Sequence, residues 1–398
     1  MKKNINYPEN VIKIARILQD NGFKAYAVGG CMRDSVMGKC PADWDMTTDA
    51  SPEQMLEIFS SLNIRTIPTG LKHGTVSVLL DGEIFECTTF RIDGEYTDSR
   101  HPSSVEFTKD IKYDLCRRDF TMNALAGSPS THSESEIIDL FGGLSDILSK
   151  TVRSVGDAEV RFTEDALRIL RAVRFATVLD FEIEESTKKA AIKLASRLAD
   201  ISAERKNTEL EKILLSDHAD RGISLLLEMG LAKHIHPEIQ YPKIPLHSLP
   251  KHFAVRFAAL MGENSHPDLS QMKLSGANSK QIKLLCDKSL YDATVERFEG
   301  NPYASARMML STFESLASQA ALLRENLSLY EAIEQEKKKN PCVKISDLAV
   351  SGSDLLSAGA EAKTIGKIMQ YLLISVIEFP EKNEKAALLA LATEFNGV

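Results

Sequence analysis

A chain of 398 residues exceeds one ordinary core and predicts roughly two to four structural units, and its 43% hydrophobic and 26% charged residues are the balance of a folded globular protein. No stretch reaches the apolar length of a membrane span, the N-terminal residues lack a signal-peptide pattern, and six scattered cysteines form no Cys-x-x-Cys pair. The expectation is therefore a cytoplasmic protein with reduced thiols and neither a zinc ribbon nor a disulfide framework, whose net charge of −8 requires any nucleic acid to be met by a local patch or by bound metal ions.

The first third mixes helical and extended patterns. Val11–Leu18 has helical periodicity and Ala25–Val28 reads as a strand. That strand runs into Gly29-Gly30-Cys31-Met32-Arg33-Asp34, where paired glycines before a helix are either a plain turn or a geometry that brings backbone amides close to a triphosphate, to which Arg33 could add a charge-assisted contact. Next comes Asp43-Trp44-Asp45. Carboxylates at i and i+2 of an extended segment share one face, so both can hold divalent metal ions, while Trp44 turns the other way into the core. In a two-metal mechanism such ions, about 3.5–4 Å apart, activate an attacking hydroxyl and stabilise departing pyrophosphate. Pro52–Phe59 reads as a helix, and Thr75–Leu80 with Ile84–Phe90 as a hairpin around Asp81-Gly82, which makes Glu86 the candidate third carboxylate.

Asp114–Ala124 closes a helical segment with Arg117 and Arg118 beside Asp119. Arginine's fork suits phosphate and ribose oxygens, and Asp119 could hold one guanidinium in position. From about Asp146 onward the pattern is helical and strand signals end, with periodic stretches at Ala166–Val178, Ser186–Ala199, Glu209–Leu215 and Ile223–Leu231. Within Arg161–Phe175 a single helix capped by Thr163 is expected to bury Leu167, Ile169, Leu170 and Val173. Asp165, Arg168 and Arg171 then share the opposite face, with Asp165 and Arg168 adjacent. A carboxylate beside a guanidinium can read an amino donor next to an acceptor, the edge that cytosine and adenine present and that uracil and guanine do not.

With these segments in hand, the chain resembles the bacterial class II tRNA nucleotidyltransferase and poly(A) polymerase family, and within it the CCA-adding enzymes. The resemblance spans about residues 23–235. It rests on Gly29-Gly30-x-x-Arg33-Asp34, Asp43-x-Asp45, Pro68-Thr69-Gly70-x-x-His73-Gly74-Thr75-Val76, Arg117–Ala124, Phe141-Gly142-Gly143 and Glu164-Asp165-x-x-Arg168. It implies an α/β nucleotidyltransferase-type head followed by a mostly all-α neck, body and tail. Gly30 and Arg33 would bind the triphosphate, Asp43 and Asp45 magnesium, Arg118 the nucleotide, Asp165 and Arg168 would form the protein template, and Arg171 and Arg174 would add further nucleotide contacts. Thr88–Pro102 looks like the head loop of members that add the terminal A. Leu140 and Lys206 depart from the family pattern, and no His-Asp phosphohydrolase signature follows residue 240.

Proline and glycine clusters suggest boundaries near 145, 220 and 325, giving a head at 1–145, a neck at 146–220, a body at 221–325 and a tail at 326–398. The expected activity is untemplated addition of C, C and A to tRNA from CTP and ATP, with Mg2+ as cofactor and without a membrane or DNA partner. Lys188, Lys189, Lys193, Arg197, Arg205 and Lys206 are candidates for the tRNA surface. The alternatives are a poly(A) polymerase, a partner enzyme adding only C or only A, and a non-catalytic RNA-binding scaffold.

Overall fold

The structure, a computed structural model, describes residues 2–94, 104–130, 134–262 and 266–395, and the chain divides into two compact units, Met1–Pro237 and Glu238–Val398. The first unit begins with β1 (Lys2–Asn4), α1 (Glu9–Asp20), β2 (Ala25–Val28), α2 (Gly30–Val36), β3 (Met46–Thr48), α3 (Pro52–Ser61) and β4 (Arg65–Gly70). It continues through β5 (Thr75–Leu80), β6 (Glu83–Thr89), β7 (Arg91–Asp93), β8 (Val105–Phe107), α4 (Ile111–Cys116), β9 (Leu125–Gly127) and β10 (Glu134–Asp139). Eight of the strands form one sheet in the order β1-β10-β9-β2-β3-β6-β5-β4, in which only the β3–β6 pair is parallel.

Local chemistry accounts for these elements. Helix α1 buries Val11, Ile14, Ala15 and Leu18, a stripe at helical spacing. Ser51 opens α3 with a capping box shared with Gln54, and Pro52 fits the first turn because its missing amide costs no bond there. Asp81 and Gly82 both adopt positive φ, 50° and 84°, as a two-residue turn between twisted antiparallel strands requires. Strands β7 and β8 pair with each other, and residues 95–102 of the expected head loop lie outside the described residues.

The remainder of this unit is helical: α5 (Gly143–Leu148), α6 (Ala158–Glu164), α7 (Leu167–Leu179), α8 (Glu185–Lys193), α9 (Ala203–Leu214) and α10 (Ala219–Glu228). Strand structure does not quite end at residue 146, because β11 (Thr151–Val152) pairs in parallel with β12 (Glu182–Ile183). Two-residue strands are too short to show alternation in sequence.

A second correction concerns Arg161–Phe175, which is two helices. Asp165 leaves helical geometry at φ −143° and ψ 103°, so Thr163 lies inside α6 and caps nothing. The Asp165 carboxylate instead accepts from the Leu167 amide and caps α7 from the break.

The second unit is built of helices from Phe253–Leu260 to Lys385–Thr393, with no strand among its described residues. One core there gathers Leu348, Val350, Leu355, Ile368, Met369, Leu372, Val376 and Leu388. A buried Arg307–Glu336 ion pair at 2.9 Å lies in the same unit.

Candidate active site

Residue 29 must be glycine on two counts. Its φ is 86°, and a Cβ there would lie 2.9 Å from Nη1 of Arg118. The bare backbone therefore lets the Arg118 guanidinium lie against the turn. Asp114, fully buried at the end of α4, holds that guanidinium at 3.4 Å and binds Nε and Nη2 of Arg117 at 3.0 and 2.8 Å. The Oδ2 that holds Arg118 also accepts from Thr47 on β3, while Oδ1 takes both Arg117 contacts. Nε of Arg118 is buried without a hydrogen-bond partner, a donor left for an oxygen that the described residues do not supply.

Asp43 and Asp45 lead into β3 as solvent-accessible residues, with the Asp45 carboxyl set back among protein atoms, while Trp44 between them is buried against Tyr7, ring centroids 5.4 Å apart. The alternation expected of an extended segment is present. Register brings in the third carboxylate: Met46 pairs with Cys87 in the parallel β3–β6 ladder and both are buried, so Asp45 and Glu86, one residue back on each strand, share the opposite face. Desolvation by the surrounding protein and the charge of Asp43, opposed by Arg118 and reinforced by Glu86, push the Asp45 carboxyl up to about 6.

Crowded acidic oxygens of this kind suit a hard divalent cation. Among the described residues no group of three metal-ligating side chains is drawn together tightly enough to form a complete cage. Two carboxylates completed by substrate phosphates is the usual arrangement for magnesium, so the residues present fit that ion.

Arg33 is buried. Its Nη1 donates to Oδ1 of Asn123 at 2.8 Å and its Nε to Asp34 at 2.9 Å. Gly30 lies beside the same guanidinium, since a Cβ there would come within 3.7 Å of Nη2. From α7, Arg171 donates through Nε to Asp119 at 2.8 Å, and Arg174 pairs with Glu209 of α9 at 2.5 Å while stacking 3.8 Å from the Phe175 ring centroid. Asp119 therefore does hold a guanidinium, but it is Arg171's, 52 residues away, rather than that of a neighbouring arginine. Desolvation would raise this carboxyl, yet the Arg171 charge and the hydrogen bonds from Asn123 and Arg171, with the charge of Arg168, bring it down to about 2.

Asp165 and Arg168 are not the mutually paired couple expected on one helix face. Asp165 lies in the break and accepts from Arg205 at 2.8 Å, whereas buried Arg168 donates to Glu164 at 2.8 Å and to the Arg117 carbonyl at 3.0 Å. Both retain capacity. A carboxylate has about four acceptor positions and a guanidinium five donors, and the contacts to Leu167, Arg205, Glu164, Arg161 and Arg117 use only part of each set.

Arg168 thus touches the backbone of Arg117, whose neighbour Arg118 lies on the glycine turn that follows Val28, and Val28 donates its amide to the Asp45 carbonyl at 3.0 Å, so the two expected clusters meet through one short segment. The helical wheel did identify the buried arc, as Leu167, Ile169, Leu170 and Val173 are all buried. Of the proposed tRNA-facing residues, Arg205 is engaged with Asp165 and Lys206 donates to the His234 carbonyl, whereas Lys189 and Lys193 are exposed. Residue types alone did not single out Asn123, Phe175 or Glu209. Asn123 and Phe175 lay inside segments noted for their arginines, and Glu209 read only as the start of an amphipathic stretch.

Residues 25–153 match the family described as "Poly A polymerase head domain", residues 180–241 "Probable RNA and SrmB- binding site of polymerase A", and residues 253–392 "tRNA nucleotidyltransferase domain 2 putative". The chain is 38% identical over 367 residues to the CCA-adding enzyme of Bacillus licheniformis, covering 87% of each chain. It is 33% identical over 385 residues to that of Leuconostoc mesenteroides, covering 95% of this chain and 94% of the relative. A crystal structure of the Bacillus stearothermophilus CCA-adding enzyme in complex with CTP superposes with a TM-score of 0.77 at 31% identity over 96% of each chain. With relatives of this similarity over nearly its whole length, and with the glycine turn, acidic pair and arginine-bearing helix joined in one unit, the chain belongs to the bacterial CCA-adding enzymes, a family of tRNA nucleotidyltransferases.

Proposed function

We propose that this protein adds C, C and A to the 3′ end of tRNA, taking CTP and ATP and using Mg2+ without a nucleic-acid template. The observation that carries the reading is the short path from the acidic pair to the α7 arginines: the Asp45 carbonyl accepts from the Val28 amide at 3.0 Å, Arg118 lies on the adjoining Gly29, and the Arg117 carbonyl accepts from Arg168. A nucleoside triphosphate has a phosphate end and a base end, and this segment ties together a group suited to each.

Asp43 and Asp45 would hold the divalent ions, which when bound lower the cost of forming the attacking oxyanion and of releasing pyrophosphate. Arg33 and Arg118 neutralise the triphosphate, with Gly29 and Gly30 admitting it to close range. The unpartnered Nε of Arg118 has an acceptor once a phosphate or ribose oxygen arrives. Asp165 and Arg168 read the base edge, and Arg171 and Arg174 support them from the same helix. The division into head, neck, body and tail at 145, 220 and 325, and the cytoplasmic location, belong to this reading, since tRNA is the acceptor it requires.

Incubation of the purified protein with tRNA lacking its terminus and each labelled triphosphate tests the proposal. Incorporation limited to two C and one A is expected, while long tails from ATP alone would replace it with a poly(A) polymerase. Asp43→Ala and Asp45→Ala should each abolish transfer and leave tRNA affinity nearly unchanged. Undiminished turnover in either would remove the metal assignment.

A further inference from the structure

One aromatic ring lies beneath three of the arginines. The guanidinium carbons of Arg33, Arg171 and Arg174 lie 5.2, 5.4 and 3.8 Å from the Phe175 centroid, although Arg33 comes from the head and the other two from α7. Phe120 meets the same ring edge-on with centroids 5.7 Å apart, which fixes the ring plane. Three like charges around one buried side chain repel one another. Carboxylates offset these charges: Asp34 pairs with Arg33, Asp119 with Arg171, and Glu209 with Arg174 while also reaching Arg171 at 4.0 Å.

A second link joins the same groups. The Asn123 carbonyl accepts from Arg33 at 2.8 Å, and its amide nitrogen donates to Asp119 at 3.1 Å, the carboxylate that holds Arg171. The chain Arg33–Asn123–Asp119–Arg171 therefore closes over the Phe175 ring. An amide suits this position because it accepts from a cation through its oxygen and donates to an anion through its nitrogen.

We propose that Phe175 and Asn123 are positioning residues of the nucleotide site, locking the triphosphate-binding Arg33 to Arg171 and Arg174 so that the phosphate and base contacts are set as one unit. This rests on the nucleotide roles given above to those arginines. Neither residue touches the reacting atoms. Loss of either removes a contact that holds these guanidiniums in one arrangement, and the site must then reassemble each time a nucleotide binds.

The test measures KM, kcat and equilibrium affinity for CTP and ATP, with tRNA affinity and thermal midpoint measured alongside, on the full chain carrying Phe175→Leu, Phe175→Tyr or Asn123→Ala. Leucine keeps an apolar filling but has no ring face. We expect Phe175→Leu and Asn123→Ala to weaken both nucleotides by about tenfold, ~1.4 kcal/mol, through KM with kcat and tRNA affinity little changed. Phe175→Tyr, which keeps the ring, should restore most of the loss.

Unchanged nucleotide KM in Phe175→Leu, or a loss shared equally by tRNA affinity and left unrescued by tyrosine, would overturn the proposal. If Phe175→Leu fails to fold, Asn123→Ala decides by the same KM criterion. Arg33→Ala and Arg171→Ala run in the same assay separate the two levels. If neither weakens nucleotide binding, the underlying site reading fails, whereas if they do and the positioning variants do not, only the present inference fails.

Discussion

Arg168 combines burial with three contacts, to Glu164 and to the carbonyls of Arg161 and Arg117, and still has N–H groups to offer a base. In the proposed base-reading role, truncating it removes the donor that a uracil ring N–H would face unfavourably. Arg168→Ala is therefore expected to raise UTP incorporation relative to CTP, read from competition between labelled triphosphates, and an unaltered preference would discredit the base-reading role. Asp119 supplies a prediction in pH. Its carboxyl is depressed from 3.8 to about 2, so its contribution to stability is present above pH 4 and is lost as the pH falls toward 2. The shift corresponds to about 2 kcal/mol, and the gap in thermal midpoint between the wild-type chain and Asp119→Asn should narrow over that window. A gap that stays constant from pH 5 to pH 2 would show that the Arg171 pair adds no such stability.

At the level of elements, the break between α6 and α7 gives Asp165 two duties. Its carboxylate caps α7 through the Leu167 amide and pairs with Arg205, so a change there mixes stability with the proposed base-reading role. Asp165→Ala is expected to cost about 1 kcal/mol in urea unfolding, the usual value of a lost cap, whereas Asp165→Asn keeps the capping oxygen and most of that stability. If both variants altered nucleotide choice while only alanine lowered stability, the two duties would be separated. A similar constraint acts at Gly143, where a Cβ would run into the Thr121 carbonyl oxygen, which explains the second glycine of Phe141-Gly142-Gly143.

For the whole molecule, every residue assigned to the nucleotide site lies within the compact unit that ends at Pro237. A chain terminated there is expected to fold and bind CTP and ATP close to wild-type affinity while losing the share of tRNA affinity that the proposed tail at 326–398 adds to the basic residues 188–206, as judged by circular dichroism and equilibrium binding. Full tRNA affinity in that fragment would confine the acceptor surface to the first unit, where Lys189 and Lys193 are exposed. A net charge of −8 makes such a division of labour plausible physically, because binding to a polyanion has to be concentrated on local basic surface.

Short-range chemistry was readable from the order of residues. The Asp81-Gly82 turn, the Ser51 side of α3, the alternation of Asp43, Trp44 and Asp45 and the buried arc of α7 each depend on neighbours a few positions away, where periodicity and turn preference act directly. Partner choice was not. Periodicity could not reveal that Asp119 takes Arg171, that Asp165 takes Arg205, that Glu209 takes Arg174, or that Phe175 lies under arginines from two parts of the chain. The break at Asp165 was hidden for the same reason, since the helical pattern continues on both sides and the carboxylate's distant partner exists only after folding. Residue order thus settled which chemical groups the protein carries and how they alternate locally. Folding settled which opposite charges meet, because a long-range ion pair depends on which surfaces come to face each other, and no local spacing encodes that.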